Sequence, residues 1–306
     1  VEKMDGIHNR ETVLRILLVY PEMPDTFWVL RHFLKLTGKK SLYPPLGLLT
    51  VAAMLPKEWE KRLVDTNLRP LTDEDLTWPD YVFLSAMNVQ EPSARQIIAH
   101  CREAGVKVVA GGPLFTHEYL QFNDIAHFVL NEAELTLPQF LKDLEQGEPE
   151  PVYQSDEYAN VHETPIPLWE LVDMDQYQYA ILQYSRGCPY HCDFCDVTAL
   201  FGYRPRTKTA DQIIAELEVF ASSNKFFSVL FADDNLIGNK KELKSELLPA
   251  LIQWRKEKQP ALSFSTQLTI NLVDDPELME MLLEAGFRHI FIGVETPEEA
   301  GLVASR

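Results

Sequence analysis

Short apolar runs alternate with helical stretches along almost the whole chain, and this alternation limits the folds open to it. The apolar runs predict five strands in the first half and four in the second. They are residues 15–20, 62–65, 81–86, 106–110 and 127–130, then 179–184, 227–232, 262–267 and 289–295. Strands separated by helices form parallel sheets, because a parallel connection needs a crossover. We therefore predict an α/β fold: a doubly wound parallel sheet, then part of a β/α barrel.

A change in composition marks the boundary between these two parts. Residues 147–175 contain several prolines and many acidic residues, a composition typical of an extended connection between domains. We predict a Rossmann-like domain over residues 1–146, a linker over residues 147–175 and the barrel-type domain over residues 176–306.

Composition and charge exclude several classes of protein. The chain has 306 residues, of which 46% are hydrophobic and 24% charged, so it is globular. No apolar run approaches the roughly 20 residues that span a bilayer, and no signal-peptide pattern begins the chain. The formal net charge of −18 argues against a nucleic-acid partner, which normally meets a basic face. The basic cluster of Arg204, Arg206 and Lys208 is interpreted as a solvated loop rather than a phosphate site.

Three cysteines with the spacing C-x3-C-x2-C follow the first strand of the second domain. Cys188, Cys192 and Cys195 lie on the loop between that strand and a predicted helix, whose start carries Thr209 and Gln212 as a capping box. Three thiolates can hold three irons of a [4Fe–4S] cluster and leave the fourth iron open to a small ligand. A functional loop at the end of a strand is how a β/α barrel presents its chemistry.

Two other interpretations of these cysteines are weaker. A structural zinc site needs four ligands, and His191 is the only local candidate for the fourth. A disulfide framework is disfavoured because cysteines are few and no signal peptide precedes them. The remaining cysteine, Cys101, is interpreted as a small buried core residue. Few cysteines and an iron–sulfur site together predict a reducing cytoplasm.

The spacing of the three cysteines, with Phe194 just before the last of them, resembles the hallmark loop of radical S-adenosylmethionine enzymes. The resemblance implies a [4Fe–4S] cluster held by Cys188, Cys192 and Cys195, with S-adenosylmethionine bound at the open iron and near Phe194. One electron from the cluster then releases a 5′-deoxyadenosyl radical. Barrels of this family normally have six strands and four are predicted here, so we interpret the chain as truncated.

Polar residues recur where the strands of the second domain end, at the edge that faces the active site of a barrel. A protonated amino group and ribose hydroxyls need carboxylate or amide partners when they are held out of water. The family resemblance implies that Asp233, Asp234 or Asn235 supports the amino group of S-adenosylmethionine, and that Gln267 and Glu295 meet the ribose. Helix capping by Asp234 and Asn235 remains the alternative.

Other candidate residues follow the strands of the first domain. Ligands of doubly wound sheets bind at the carboxyl ends of the strands, and there the sequence places Asp65, Ser85, Met87 and the run Gly111-Gly112-Pro113. The two glycines would let a bulky ligand approach the backbone, although a tight turn explains them equally well.

A Rossmann-like domain in front of a radical barrel resembles the cobalamin-binding class of the family. Residues 44–48, 111–113 and 131–134 match its pattern, except that glycine is usual where Asn131 stands. The resemblance implies a bound cobalamin, to which Asp65, Ser85, Met87, Gly111, Gly112 and Pro113 are assigned. None of the eight histidines lies in a D-x-H-x-x-G motif, so we predict no histidine ligand on the lower face of the cobalt.

The resemblance implies a cobalamin-dependent C-methyltransferase acting on an unactivated carbon. Residues 25–28, 44–47 and 85–87 most resemble the hopanoid C-2 methylase branch, which implies a lipid-like small-molecule substrate. A reductase, flavodoxin or ferredoxin would supply electrons, and a lipid substrate would bring the cytoplasmic protein to a membrane. Two alternatives stay open: cyclisation, oxidation or rearrangement without methyl transfer, and a non-catalytic fragment, against which the intact cysteines argue.

Overall fold

The predicted α/β class is confirmed by the structure, a computed structural model that describes residues 13–26, 29–223, 228–294 and 298. The described residues form two parallel sheets and a short antiparallel ribbon. The strands are β1 (Arg15–Tyr20), β2 (Glu60–Asp65), β3 (Tyr81–Ser85), β4 (Lys107–Gly111), β5 (His127–Val129), β6 (Val152–Tyr153), β7 (Ala180–Leu182), β8 (Ser185–Arg186), β9 (Arg206–Thr207), β10 (Ser228–Phe231), β11 (Ser263–Gln267) and β12 (Phe287–Phe291).

The N-terminal sheet is doubly wound, as predicted. Its strand order is β2-β1-β3-β4-β5-β6 and every pair is parallel. Alternate residues of β1 enter separate apolar clusters on the two faces: Leu17 and Val19 on one, Ile16 and Leu18 on the other. The chain order reverses between β1 and β3, and the carboxyl ends of these strands form the crevice where such folds bind ligands.

Helices cover both faces of this sheet. They are α1 (Arg31–Thr37), α2 (Leu46–Met54), α3 (Asp73–Leu76), α4 (Glu91–Ala104), α5 (Pro113–Glu118) and α6 (Ala133–Gln146). The sequence predicts a helical stretch from Pro44 to about residue 54, another over residues 92–104 closed by Gly105, and a third ending near residue 145. These correspond to α2, α4 and α6, whereas α1 and α5 were not predicted. Helix α4 ends where predicted, because Gly105 adopts φ 72° and its backbone N–H caps the last turn.

The second sheet has the order β12-β11-β10-β7, again parallel, and in the described residues it does not close into a barrel. Its helices are α7 (Val197–Phe201), α8 (Ala210–Ser223), α9 (Lys240–Glu242), α10 (Leu248–Lys258) and α11 (Pro276–Ala285), with a π-helical turn over Leu243–Leu247. The predicted capping box begins α8: the Gln212 backbone N–H donates to Thr209 Oγ1 at 3.2 Å, and the Thr209 N–H donates to Gln212 Oε1 at 3.0 Å.

The segment predicted as a linker does more than connect. Its residues Val152–Tyr153 form β6 and extend the first sheet beside β5, and Trp169 packs edge-on against Phe220 of α8, with ring centroids 4.9 Å apart. A two-residue strand carries too short an apolar pattern to be recognised in a proline-rich stretch. Throughout the described ranges, no helix combines the length and apolar character needed to cross a membrane.

Candidate active site between the two sheets

A cavity of about 700 Å³ opens at the carboxyl edge of the first sheet. Among the residues predicted to bind cobalamin, Ser85, Met87 and Pro113 lie on its wall. The second domain contributes Ile181 from β7 and Ala232, which follows β10. The volume is in the range of small-molecule and cofactor sites, so the strand ends of both domains meet around one space large enough for a ligand.

Asp65 lies behind the cavity wall, at the contact between the domains. Its carboxylate accepts hydrogen bonds from the Tyr177 hydroxyl at 2.9 Å and from the Asn67 backbone N–H and side-chain Nδ2 at 2.8 and 2.7 Å. Only 3% of the residue is exposed, and burial raises the pKa of this carboxyl above its ordinary value. The carboxylate is thus already used in joining the domains.

The absence of side chains at Gly111 and Gly112 lets neighbouring atoms of the protein pack against them. A Cβ on Gly111 would lie 2.6 Å from the Val129 carbonyl oxygen, and one on Gly112, whose φ is 88°, would lie 2.5 Å from Ser85 Oγ. The structure therefore favours the tight-turn interpretation of the two glycines. A role for Asp65, Gly111 and Gly112 toward cobalamin stays a prediction.

The departure from the family pattern at Asn131 has a conformational explanation. Asn131 adopts φ 60°, in the left-handed region, where asparagine is several-fold enriched among non-glycine residues. Its backbone N–H donates to Thr116 Oγ1 at 3.0 Å, and its Oδ1 accepts from the Ser155 N–H at 3.3 Å. Asparagine thus replaces glycine without changing the backbone.

The cysteine loop begins at the β8–β9 ribbon and runs into α7. Gly187 adopts φ 96°, and the Cys188 N–H donates to the Gly202 carbonyl at 3.2 Å. Burial raises the pKa of the Cys188 thiol, and the nearby Asp234 and Cys195 raise it further. Phe194 is 60% exposed. The first and last cysteines of the motif therefore lie near each other and near the end of β10.

Asp233 holds the start of this loop. Its carboxylate accepts hydrogen bonds from the Tyr184 N–H at 3.2 Å and from the backbone N–H and hydroxyl of Ser185, both at 2.5 Å. The side chain is fully buried, and burial raises the pKa of Asp233 to about 7. These contacts use both carboxylate oxygens within the protein.

Asp234 and Asn235 differ from Asp233, because each has a buried polar atom without a hydrogen-bond partner. These atoms are Asp234 Oδ2 and Asn235 Nδ2, whereas Asn235 Oδ1 accepts from the Thr269 N–H at 3.3 Å. Burial raises the pKa of Asp234 to about 6. The Asn235 side chain makes no capping bond to the helical turn that follows. Unpartnered buried polar atoms are costly, so these two are candidates to meet a bound ligand.

The cysteines suit an iron–sulfur cluster by their chemistry. Three thiols on one loop are the donor set that such clusters use, and the Asp234 carboxylate is near enough to Cys188 for its charge to raise the pKa of that thiol. In the part of the chain that the structure describes, no three His, Cys, Asp or Glu side chains are yet gathered closely enough to hold a metal ion. Gln267 is exposed at the end of β11, and Glu295 lies outside the described residues.

A group of buried charges below the loop was not predicted, and it corrects the solvated-loop interpretation of the basic cluster. Arg204 is exposed, but Arg206 and Lys208 are largely buried and paired with Glu132 and Glu216. Arg186 contacts Glu132 at 2.7 Å and Glu134 at 2.8 Å, and Arg206 contacts Glu132 at 2.9 Å. Burial raises the pKa of Glu134, but hydrogen bonds from Arg186 outweigh this and hold the pKa at about 2. The sequence contained a signal: an arginine immediately before Gly187-Cys188 and two glutamates in a segment already singled out.

Family models match both halves of the chain. The model of the B12 binding domain matches residues 39–141, and the model of the radical SAM superfamily matches residues 182–305. The first match covers β2 to β5 of the doubly wound sheet and most of α6, and the second covers the cysteine loop and β10 to β12 of the second sheet. Both therefore coincide with the regions described above.

Individual proteins align with nearly the whole chain. The chain is 41% identical over 291 residues to an uncharacterized methyltransferase of Synechocystis sp., covering 94% of this chain and 54% of that relative. It is 36% identical over 299 residues to the hopanoid C-2 methylase of Rhodopseudomonas palustris, covering 96% and 56%. The chain thus spans about half the length of the curated relatives it matches.

A solved structure shares the fold. The cobalamin-dependent S-adenosylmethionine radical enzyme OxsB with aqua-cobalamin bound superposes with a TM-score of 0.73 at 18% identity, over 96% of this chain and 45% of that one. At this identity the likeness concerns the fold, and it includes both sheets.

Proposed function

The chain belongs to the radical SAM proteins that carry a B12-binding domain, and we propose that it is a cobalamin-dependent radical S-adenosylmethionine enzyme that methylates an unactivated carbon. One observation carries this proposal: Ser85, Met87 and Pro113 of the first domain and Ile181 and Ala232 of the second line the same cavity. Two cofactors that react in sequence with one substrate need such a shared space.

The second domain supplies the cluster and nucleotide site. Cys188, Cys192 and Cys195 hold the [4Fe–4S] cluster, while Asp234 and Asn235 offer buried oxygen and amide groups to the amino acid part of S-adenosylmethionine. Phe194 on the loop, Gln267 at the end of β11 and Glu295 are assigned to the same cofactor by the family pattern. When bound, the cluster and S-adenosylmethionine supply a carbon-centred oxidant, and cobalamin supplies the methyl group.

The first domain supplies the cobalamin site. Ser85, Met87 and Pro113 line the cavity and would contact a cobalamin bound there. Asp65, Gly111 and Gly112 support that wall through their contacts with Tyr177, Val129 and Ser85. Because no histidine lies in a D-x-H-x-x-G motif, no histidine of this chain is assigned to the cobalt.

The substrate is lipid-like, and the protein reaches it at a membrane surface. The similarity to a relative named for hopanoid methylation supports this substrate class. Phe33 and Leu36 of α1 are 38% and 88% exposed, and Lys35 beside them lines the cavity. Apolar and cationic side chains together are the combination that binds an anionic lipid surface. A reductase, flavodoxin or ferredoxin delivers the electron.

Anaerobic reconstitution with iron and sulfide tests the cluster site. Before reduction, the reconstituted wild-type chain is expected to show the visible absorption of an oxidised iron–sulfur cluster. With dithionite and S-adenosylmethionine, it is expected to release 5′-deoxyadenosine. Cys192→Ala removes a cluster ligand and should abolish the release, whereas Cys101→Ala, the matched control away from the loop, should retain it. Colourless, iron-free wild-type protein or a zinc-loaded loop would overturn the proposal.

Product mass separates methylation from its rivals. With S-adenosylmethionine labelled in the methyl group, a reductant and cobalamin added without a methyl group, the product of a methyltransferase gains the labelled methyl. A cyclised or oxidised product that gains no label would identify the first rival activity. Absence of 5′-deoxyadenosine in both the wild type and Cys192→Ala would identify a non-catalytic module.

A further inference from the structure

The buried charges between the domains form a compact network, the Arg–Glu clamp, made of Glu132, Glu134, Arg186 and Arg206. Their side chains are only 2%, 7%, 12% and 20% exposed. Both glutamates belong to the first domain, at the start of α6. Both arginines belong to the ribbon at the base of the cysteine loop. The clamp therefore connects the domain proposed to bind cobalamin with the loop proposed to bind the cluster.

The contacts in the clamp leave little freedom. Arg186 donates to both oxygens of Glu134, from Nη2 at 2.8 Å and from Nη1 at 3.0 Å, and its Nη1 also reaches Glu132 Oε1 at 2.7 Å. Glu132 Oε2 accepts from the Ala159 N–H at 2.9 Å, and Glu134 Oε1 from the Thr164 hydroxyl at 2.6 Å. A forked, charge-assisted pair of this kind fixes direction as well as distance.

The fixed position of Arg186 also restrains Cys188, because the backbone between them is tightly packed. Gly187, the next residue, is packed so closely that a Cβ there would lie 2.9 Å from the Gly202 carbonyl oxygen. The Cys188 N–H donates to that same carbonyl at 3.2 Å. Gly187 is the single residue between Arg186 and Cys188, and both Gly187 and Cys188 are held by neighbouring backbone.

The clamp also reaches the far end of the loop. Arg206 Nη2 donates to the Phe201 carbonyl at 3.2 Å, and its Nη1 donates to the Ala159 carbonyl at 2.6 Å. Phe201 is the last residue of α7, the helix that follows Cys195. One arginine thus holds the chain before the cysteines, and the other holds the chain after them.

We infer that Glu132 and Glu134 are positioning residues for the cysteine loop. Through Arg186 and Arg206 they fix the loop relative to the first sheet, so that the cluster and the occupant of the cavity keep a constant separation. The inference rests on the proposed cluster site for its catalytic meaning. The positioning itself is a property of the protein without cofactors, and it can be measured there.

The test uses the apoprotein and the rate at which iodoacetamide alkylates Cys188, Cys192 and Cys195, read by peptide mass spectrometry. Glu134→Gln removes the charge that holds Arg186. The local opening that exposes the loop thiols should then become about tenfold more frequent or greater. Glu145→Gln, an exposed glutamate on the same helix, is the matched control and should leave the rates unchanged.

A second pair of variants tests whether the geometry of the Arg186 contacts, and not only their charge, positions the loop. Arg186→Lys keeps the charge but cannot bridge both glutamates, so it should also raise the rate of loop alkylation. The control Arg204→Lys, at an exposed position just before β9, should leave that rate unchanged. Because both changes act through one contact, Glu134→Gln combined with Arg186→Lys should add little to either alone. In the reconstituted enzyme, the variants should release more 5′-deoxyadenosine for each methylated product.

Two outcomes would overturn the inference. Loop alkylation in Glu134→Gln could match that in Glu145→Gln while both proteins are folded. Alternatively, hydrogen exchange could rise equally in α8 and β10, which would make the glutamate a general stabiliser. A failure of the proposed function is distinguishable, because the apoprotein would respond as expected while the reconstituted protein binds no cluster.

Discussion

The edge of the first sheet and the edge of the second both carry acidic residues, but the two edges treat them differently. In the first domain, Asp65 and Glu134 have hydrogen-bond partners on both carboxylate oxygens. In the second, Asp233 is partnered in the same way, but Asp234 Oδ2 and Asn235 Nδ2 are buried without a hydrogen-bond partner. Folding accounts for the first set, and a ligand would account for the second.

This difference separates supporting residues from candidate ligand-binding residues better than position does, since both sets lie at strand ends. Removing a partnered carboxylate should destabilise the protein, because its partners stay buried and unpaired. Removing an unpartnered carboxylate should stabilise the protein and weaken the ligand. Substitutions are therefore expected to change the free energy of unfolding in opposite directions for the partnered and the unpartnered residues.

The largest effect is expected for Glu134→Gln, with a loss of about 3 kcal/mol in unfolding free energy at pH 7, because a buried ion pair loses one partner. The pKa of Glu134 is lowered from 4.5 to about 2, so its stabilisation is present above pH 4.5 and is lost as the pH falls toward 2. Urea unfolding at pH 7 and pH 3 measures the difference between wild type and variant. An equal difference at both values would contradict the assignment.

Asp65→Ala should cost about 2–3 kcal/mol, because the Tyr177 hydroxyl and the Asn67 amide lose their acceptor. The matched control is Asp156→Ala, at an exposed position, for which a change within about 0.5 kcal/mol is expected. Equilibrium denaturation of the two variants side by side decides the point. Equal stabilities would remove Asp65 from the set of supporting residues.

Asp234→Asn should instead raise stability by about 1–2 kcal/mol at pH 8. The pKa of Asp234 is raised from 3.8 to about 6, so its charged form destabilises the fold above pH 6, and the penalty disappears as the pH falls below 4. The gain should therefore shrink between pH 8 and pH 5. The same variant should bind S-adenosylmethionine more weakly by isothermal titration calorimetry. A loss of stability at pH 8 would break the comparison.

The smallest effect is expected at Asn131, where the backbone has φ 60°. Asn131→Gly should change stability little, because glycine adopts this conformation without strain, whereas Asn131→Ala should cost about 1 kcal/mol. Thermal unfolding of the two variants gives the order. A more stable alanine variant would show that the side-chain hydrogen bond, rather than the conformation, selects asparagine.

The sequence predicted the sheets well because their signals are local. Apolar runs, helix-ending glycines such as Gly105 and the capping box at Thr209 each act within a few residues, and each was found. The exposed α1 and the two-residue β6 lack such patterns. The strand predicted over residues 289–295 begins at Phe287 instead, since the turn at Gly286 leads directly into it.

The candidate site was predicted less completely, because its arrangement depends on long-range contacts. The sequence identified the cysteines and the acidic run after β10. It did not show that Asp233 bonds to Ser185 while Asp234 faces away from any partner, since adjacent residues of one type look alike until the fold separates them. The pairing of Arg186 with Glu134 spans 52 positions, so only the folded chain brings the two together.

The β8–β9 ribbon pairs Ser185 with Thr207 and Arg186 with Arg206, so the cysteine segment leaves and rejoins the fold at neighbouring points. Residues 187–205 form an excursion whose length does not alter the register of either sheet. Such a segment can accept insertions, or be exchanged as a unit between homologues, as long as the paired residues of the ribbon at its two ends are preserved. The cysteine segment can thus vary in its chemistry while the two parallel sheets keep their arrangement.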